Sequence, residues 1–236
     1  MLQKPTIYPA LPNSLYSVAE QACDYLFRRN QGSDDELHTE FVNFVFDSRQ
    51  EYERYTDEFE QGSAVSLRNE ALRKYQQMTG KEGMGGIGLE TAKDYYAVTR
   101  KLEPTTIVET GVCNGVSTLA ILLAIQKNGL GQLYSIDYPF RSDESLEQFR
   151  QKTFENYGGG AIPSDKDPGW IIPSELHSRW ELIIGKSQKE LPKLITELET
   201  IDLFIHDSEH SHPCMMFEYE LSYEWLSDSG MILSDD

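Results

Sequence analysis

Two glycines near the middle of the chain lie where a run of apolar residues ends, in the sequence IVETGVCNGVS at residues 107–117. This pattern predicts a strand, a tight turn and the start of a helix. Glycine has no Cβ, so a ligand can approach the main-chain N–H groups at the helix N-terminus, where the helix dipole favours a carboxylate or phosphate. Asp137 ends the next predicted strand, at the spacing of roughly 20 residues where an acid binds ribose hydroxyls. The sequence therefore predicts a nucleoside-binding unit.

Carboxylates and a histidine follow two later strands of the predicted sheet. The sequence FIHDSEHSH at 204–212 contains Asp207 and His210, and Asp235 and Asp236 follow the last predicted strand. The carboxyl ends of adjacent parallel strands meet at one edge, so we expect the three aspartates to converge. Crowded carboxylates repel one another unless a cation compensates, and their hard oxygens suit Mg²⁺, Ca²⁺ or Mn²⁺. Together they predict a metal site, although each aspartate alone is also typical of a helix cap or turn.

The elements that must position these residues alternate between strand and helix beyond Pro104. This alternation predicts an α/β domain with a doubly wound, mostly parallel sheet of Rossmann-like type. The first strand must lie beside the fourth for the glycine turn and Asp207 to share a cleft, which predicts the strand order 3-2-1-4-5. Residues 139–178 form a long irregular insertion, a kind of loop that is often functional. The predicted strands are 106–109, 132–137, 180–184, 202–206 and 231–233.

The N-terminal part of the chain has a different pattern. Apolar residues recur at helical spacing from Ser14 to about Tyr75, glycines are frequent between residues 80 and 88, and residues 89–102 form a further predicted helix. We therefore predict a helical N-terminal cap over residues 1–88 and an α/β domain over residues 89–236.

The glycine turn resembles motif I of the class I S-adenosylmethionine-dependent methyltransferases, an acid-x-G-x-G-x-G pattern. Cys113 replaces the middle glycine of that motif in this chain. The resemblance implies that S-adenosylmethionine is the cofactor. The residues that it implies as cofactor-binding are Glu109, Gly111, Cys113, Gly115, Ser117, Asp137 and Ser187.

The segments around Asp207 and the final aspartates resemble a subset of this class, the small-molecule and sugar O-methyltransferases grouped with cephalosporin-hydroxylase-like proteins. Their pattern is F-I-[HD]-D-x-x-H-x-[YH] after the fourth strand and G-x-x-x-x-D-D at the fifth. The resemblance covers residues 89–236 and implies that Asp207, Asp235 and Asp236 bind a metal and that His210 is a general base. Lys186 departs from it, since many relatives have an acid there. The class usually has two further strands after the fifth, so we expect the methyltransferase domain to be truncated after strand 5.

Composition restricts the partners and the location. The chain has 236 residues and a formal net charge of −18, concentrated in residues 34–60 and 201–236. Such a chain repels phosphate backbones and anionic lipid, so we expect neither nucleic acid nor membrane as a partner. Its three cysteines form no paired framework and no apolar run is long enough to span a membrane, which predicts a cytoplasmic protein. We expect a small-molecule acceptor, and homo-oligomerisation stays open.

These observations favour an S-adenosylmethionine-dependent methyltransferase that methylates a hydroxyl of a small molecule with the help of Mg²⁺ or another hard divalent cation. Two alternatives stay open. One is an NAD-dependent oxidoreductase, although the turn lacks the third glycine of the dinucleotide fingerprint. The other is a nucleoside-binding or interaction module without catalytic activity.

Overall fold

The computed structural model describes residues 34–143 and 161–234. Its first part is helical, as the apolar periodicity predicts. The four helices are α1 (Asp34–Val45), α2 (Arg49–Gln61), α3 (Ala64–Thr79) and α4 (Leu89–Leu102). α3 ends at Gly80, whose φ of 71° is the left-handed conformation that often terminates a helix.

Five parallel strands form one sheet in the order β3-β2-β1-β4-β5, which confirms the predicted topology. The strands are β1 (Thr106–Thr110), β2 (Gln132–Asp137), β3 (Trp180–Ile184), β4 (Ile201–His206) and β5 (Leu226–Ser234). Thr110 at the end of β1 pairs with Ile136 on one side and with His206 on the other. The glycine turn, Asp137 and Asp207 therefore follow strand ends at the same edge of the sheet.

Helices follow β1, β3 and β4 in the described chain. They are α5 (Val116–Asn128), α6 (Ser187–Leu198) and α7 (His212–Tyr223), and a 3₁₀ helix (Ser174–Arg179) precedes β3. α5 is apolar on most of its surface and nine of its residues are buried, because it lies between the sheet and α4. α7 begins beside Pro213, a residue well suited to the first turn of a helix because its missing N–H needs no partner there.

Apolar side chains fill both faces of the sheet. The face covered by α6 carries alternate residues of β1, β2 and β4, as expected for side chains with a period of two. The cluster consists of Val108, Ile136, Leu191, Leu194, Ile195, Ile201 and Phe204. Because neighbouring residues of a strand point to opposite faces, Glu109 lies on the face covered by α5, and Thr110 lies on the face of α6 and α7.

The described residues belong to two compact units, one ending at Glu51 and one beginning at Tyr52. The second unit contains α3, α4 and the complete described sheet. The assignment of residues 1–88 to a cap and of residues 89–236 to a methyltransferase domain stays a prediction. No helix in residues 34–143 or 161–234 is long and apolar enough to cross a membrane.

Candidate active site

The turn after β1 has three residues in the left-handed conformation, each two positions from the next. Gly111 has φ +87°, Cys113 has φ +50° and Gly115 has φ +99°. Gly111 also has no space for a side chain, because a Cβ there would lie 1.9 Å from the carbonyl oxygen of Asp207. The predicted need for glycine in this turn therefore has two causes, the backbone conformation and the contact between the ends of β1 and β4.

Asp137 holds this turn from the end of β2. Its Oδ2 atom accepts hydrogen bonds of 2.7 Å from the main-chain N–H groups of both Val112 and Cys113. Burial raises the pKa of Asp137, although these two hydrogen bonds act to lower it. Oδ1 makes no hydrogen bond to any described residue. One oxygen of Asp137 thus shapes the turn, a role that the spacing in the sequence does not reveal.

Glu109, predicted to bind the cofactor, lies on the α5 face of β1 and is completely buried. Its carboxylate accepts hydrogen bonds from three hydroxyls, those of Ser117 at 2.5 Å, Ser135 at 2.7 Å and Thr118 at 2.8 Å. Burial raises the pKa of Glu109 to about 7, against the lowering effect of these hydroxyls. In the described structure Glu109 and Ser117 therefore join β1, β2 and the first turn of α5, and their direct contact with a cofactor stays a prediction.

Asp207 and His210 come together after β4. The N–H group of Asp207 donates to the carbonyl oxygen of Thr110 at 2.8 Å, so the loop after β4 is fixed to the end of β1. His210 Nε2 lies 3.7 Å from Asp207 Oδ1, and the side chains are 38% and 13% exposed, respectively. The predicted general base and one predicted metal ligand are thus neighbours at the edge of the sheet.

The other two predicted metal ligands, Asp235 and Asp236, lie outside the described residues. Among residues 34–143 and 161–234 no three His, Cys, Asp or Glu side chains are grouped closely enough to hold a metal ion. The preceding residue, Ser234, is fixed by a hydrogen bond of 2.8 Å from the Tyr219 hydroxyl. Ser234 also pairs with His206, so β5 and β4 end level with each other. In the sequence Asp207 follows β4 and Asp235 follows β5.

Glu218 on α7 is a buried acid that the sequence analysis does not single out. Its Oε2 atom accepts a hydrogen bond of 2.6 Å from the Thr110 hydroxyl and lies 2.7 Å from His206 Nδ1. Its Oε1 atom accepts one of 2.8 Å from the Ser208 hydroxyl. Burial acts to raise the pKa of Glu218, but the hydrogen bond and charge of His206 lower it below the usual value. Glu218 therefore fixes both residues that flank Asp207.

At the ends of β2 and β3 the chain presents a partly exposed surface. Tyr138 follows Asp137, and Lys186 Nζ lies 5.4 Å from the centre of the Tyr138 ring. Ser187, predicted to bind the cofactor, begins α6 and is buried, with its Oγ atom 3.9 Å from Cys214 Sγ. Lys186 is thus a charged side chain beside Tyr138 at this edge.

Comparison with known proteins identifies the family. Residues 108–236 match the family model of a methyltransferase domain. The chain belongs to this methyltransferase family. This result confirms the resemblance to class I S-adenosylmethionine-dependent methyltransferases, and it does not favour the NAD-dependent oxidoreductase or a module without catalytic activity. No curated protein sequence matches the chain.

Solved structures with a similar fold include an O-methyltransferase from Bacillus cereus in complex with S-adenosylhomocysteine. It is 15% identical, with a TM-score of 0.50, and the match covers 78% of this chain and 74% of that one. Another is the O-methyltransferase TomG from Streptomyces achromogenes in complex with S-adenosylmethionine, 13% identical, with a TM-score of 0.49 and coverage of 75% and 66%. The first of these likenesses shows that this methyltransferase has the class I fold.

Proposed function

We propose that this methyltransferase uses S-adenosylmethionine to methylate a hydroxyl group of a small molecule, with assistance from a hard divalent cation. The observation that carries the proposal is the contact between the glycine turn and the loop of Asp207. Because Gly111 lies directly against the Asp207 carbonyl, a ligand held by the turn is also beside Asp207 and His210. The cofactor and the acid-base residues therefore share one cleft.

Cofactor binding is assigned to the turn and to Asp137. The Oδ1 atom of Asp137 accepts hydrogen bonds from the ribose hydroxyls, while Oδ2 keeps the turn in place. The N–H groups of Val112 and Cys113 donate to Asp137, and those of Gly111 and Gly115 donate to the carbonyls of Ile136 and Val112, so the turn already has a fixed shape when the cofactor binds. S-adenosylmethionine supplies a methyl group on a sulfonium, which leaves as a neutral thioether when a nucleophile attacks.

His210 and Asp207 activate the acceptor. His210 removes the proton of the acceptor hydroxyl, and Asp207, with its Oδ1 atom 3.7 Å from His210 Nε2, stabilises the positive charge that forms on the imidazole ring. The main contribution of the protein is to hold the oxygen in line with the methyl group in a site from which water is excluded.

A metal site is assigned to Asp207, Asp235 and Asp236. Asp207 is the member of this set in the described structure, and its carboxylate oxygens are ligands that Mg²⁺ and Ca²⁺ prefer. A cation at this edge would lower the pKa of the acceptor hydroxyl and offset the repulsion among the three carboxylates. The charge of −18 supports a small-molecule acceptor rather than nucleic acid. Cys113 and Cys214, the cysteines of the described residues, are thiols rather than a disulfide, which supports the cytoplasm as the location.

The experiment measures transfer of a labelled methyl group from S-adenosylmethionine to a panel of small hydroxylated acceptors, in Mg²⁺ and in EDTA. We expect transfer in Mg²⁺, loss of transfer in EDTA, and a decrease in kcat of about 10²–10⁴-fold for His210→Ala. Full transfer in EDTA would exclude the cation, and a normal kcat for the His210 variant would exclude the base. Transfer only to amines or thiols added to the panel would exclude the hydroxyl acceptor.

A further inference from the structure

Asn114, between Cys113 and Gly115 in the glycine turn, is only 1% exposed, although its side chain is polar. Its Nδ2 atom donates to the carbonyl oxygens of Met84, at 2.7 Å, and Ala161, at 3.3 Å. Its Oδ1 atom accepts a hydrogen bond of 2.6 Å from the indole N–H of Trp170. Every one of these three partners lies outside the turn.

The partners belong to segments on either side of β1 and β2 in the sequence. Met84 is in the glycine-rich residues 80–88 that precede α4. Ala161 and Trp170 belong to residues 161–172, the described end of the long insertion, which we call the strap. The Ala161 carbonyl also accepts a hydrogen bond of 3.0 Å from the Tyr75 hydroxyl of α3. Asn114 is therefore the point where the strap, the glycine-rich residues and the turn meet.

The strap is packed closely against the turn. The N–H group of Gly169 donates to the Cys113 carbonyl at 3.0 Å. A Cβ on Gly115 would lie 2.8 Å from the Gly169 Cα atom, so the two backbones are in contact. On its other side Gly169 lies against Trp180, since a Cβ there would be 2.3 Å from the indole ring. The strap cannot shift without moving the turn.

The turn depends on such outside contacts. Cys113 has φ +50°, a conformation that costs a residue with a side chain about 1–2 kcal/mol. Removing the Asn114 amide would leave two carbonyls and one indole N–H without this partner in a buried place, which is costly in the folded state. A ligand that fixes the turn and a strap that fixes the turn therefore stabilise the same conformation, and each favours the other.

We propose that Asn114 is a positioning residue that couples the cofactor turn to the strap and to residues 80–88, so that cofactor binding fixes both of these segments. The inference rests on the proposed function, in which the turn binds S-adenosylmethionine. It adds a reciprocal coupling: the bound cofactor favours the fixed strap, and the fixed strap favours cofactor binding.

The test compares Asn114→Ala with Asn128→Ala, a matched control at the far end of α5. Asn128 also donates from Nδ2 to a carbonyl, that of Thr99 at 2.9 Å, and accepts at Oδ1 from Arg100, but it is remote from the turn. Binding of S-adenosylhomocysteine is measured by calorimetry, and exchange of the strap amides, Gly169 above all, is measured with and without this ligand.

We expect S-adenosylhomocysteine to slow amide exchange in the strap of the wild-type protein and of Asn128→Ala. Asn114→Ala should bind this ligand about 10-fold or more weakly, within the usual range for coupled sites, and its strap should no longer respond. Asn128→Ala should bind within about twofold of wild type, because sites this far apart with no shared partner act independently. Trp170→Phe removes only one hydrogen bond of Asn114. If Asn114→Ala does not fold, the same two measurements on Trp170→Phe test the proposal.

Unchanged affinity and an unchanged strap response in the Asn114 and Trp170 variants would overturn the proposal, as would an equal loss of affinity in Asn128→Ala. Failure of the proposed function is a separate result. If the wild-type protein does not bind S-adenosylhomocysteine, the coupling is decided without ligand: faster exchange at Gly169 in Asn114→Ala supports the contact, and equal exchange rejects it.

Discussion

Two completely buried carboxylates lie on opposite faces of the sheet, and their pKa values shift in opposite directions. Glu109 faces α5 and is surrounded by hydroxyls, and burial raises its pKa to about 7. Glu218 reaches from α7 to the other face, where burial also acts to raise its pKa but His206 lowers it. Both are 0% exposed, so the opposite directions of their pKa shifts come from their different partners and not from a difference in burial.

The different partners of Glu109 and Glu218 show how each face of the sheet stabilises its buried acid. Hydroxyls donate hydrogen bonds without carrying charge, so they only partly offset the desolvation of Glu109. The hydrogen bond from His206 and its electrostatic interaction both lower the pKa of Glu218, which favours the ionised carboxylate. On the α5 side the neutral form of Glu109 is therefore favoured, and on the α7 side the ionised form of Glu218 is favoured by its histidine partner.

The largest effect on stability is expected where the turn after β1 contacts the loop after β4. Gly111→Ala places a Cβ 1.9 Å from the Asp207 carbonyl oxygen at φ +87°, so the ends of β1 and β4 must separate. We expect the free energy of unfolding to decrease by about 4 kcal/mol or more, the size of effect reserved for severe backbone conflicts. Urea unfolding measures the change.

Gly129→Ala is the matched control for this substitution. Gly129 has φ +77°, but a Cβ there would meet no atom within 4 Å, so only the backbone conformation opposes the change. We expect a loss of about 1–2 kcal/mol. An equal loss of stability in Gly111→Ala and Gly129→Ala would show that the contact between Gly111 and the Asp207 carbonyl is not tight.

The next largest loss of stability is expected when the carboxylate of Glu218 is removed from His206. Glu218→Gln keeps the shape of the side chain but leaves buried His206 without a carboxylate, and we expect a loss of about 3 kcal/mol at pH 7. Glu220→Gln, on the exposed face of the same helix, should change the free energy of unfolding by less than about 0.5 kcal/mol. Urea unfolding of both variants checks the prediction, and a loss for Glu218→Gln as small as that for Glu220→Gln would contradict it.

The third prediction uses pH to separate the two acids. The folded pKa of Glu109 is raised from 4.5 to about 7, so the folded state binds the proton more tightly and loses stability as pH rises between these values. Glu218 has a lowered pKa, so its contribution is present above pH 4.5 and is lost as pH falls below it.

The free energy of unfolding of Glu109→Gln, relative to that of wild type, should therefore be about 2–3 kcal/mol higher at pH 8 than at pH 5. The lowered pKa of Glu218 lies outside this range, so titration of Glu218 itself adds no pH dependence between pH 5 and pH 8. Denaturant unfolding across this range provides the two difference curves. A flat difference curve for Glu109→Gln would mean that the hydroxyls neutralise the cost of burial completely.

The smallest effect concerns a single hydroxyl. Ser117→Ala removes one of the three donors to Glu109, and its cost should rise from about 1 kcal/mol at pH 5 to about 2 kcal/mol at pH 8, because hydrogen bonds to an ionised group are stronger. Ser66→Ala, which removes an exposed hydroxyl from α3, should cost little at either pH. A cost for Ser117→Ala that is independent of pH would reject the ionisation of Glu109 in this range.

Much of the fold could be predicted because strand and helix periods are local properties. The strands 132–137 and 180–184 and the helix at 89–102 have the predicted bounds. β5 is longer than the predicted strand 231–233, because it begins at Leu226. Its first half is polar and pairs irregularly with β4, so it lacks the apolar run that indicates a strand.

The site was predictable only in part, for a physical reason. Glycine spacing and an acid at a strand end are patterns within one segment, and Asp207 and His210 are close along the chain. The roles of Glu218 and Asn114 depend on contacts between residues far apart in sequence. The periodicity of a single sequence does not reveal such contacts. The most deeply buried face of α7 carries Cys214, Glu218 and Ser222, of which two are polar.

The central claim is that the glycine turn and Asp137 bind S-adenosylmethionine, and calorimetric titration of S-adenosylhomocysteine tests it most directly. The titration uses wild type, Asp137→Ala and Asp137→Asn, the last of which keeps an oxygen for the N–H groups of Val112 and Cys113. We expect wild type to bind this ligand and not NAD, and both variants to bind about 10–150-fold more weakly, the equivalent of about 1.5–3 kcal/mol. Tight binding of NAD, no binding of S-adenosylhomocysteine by wild type, or an unchanged affinity in both variants would contradict the account.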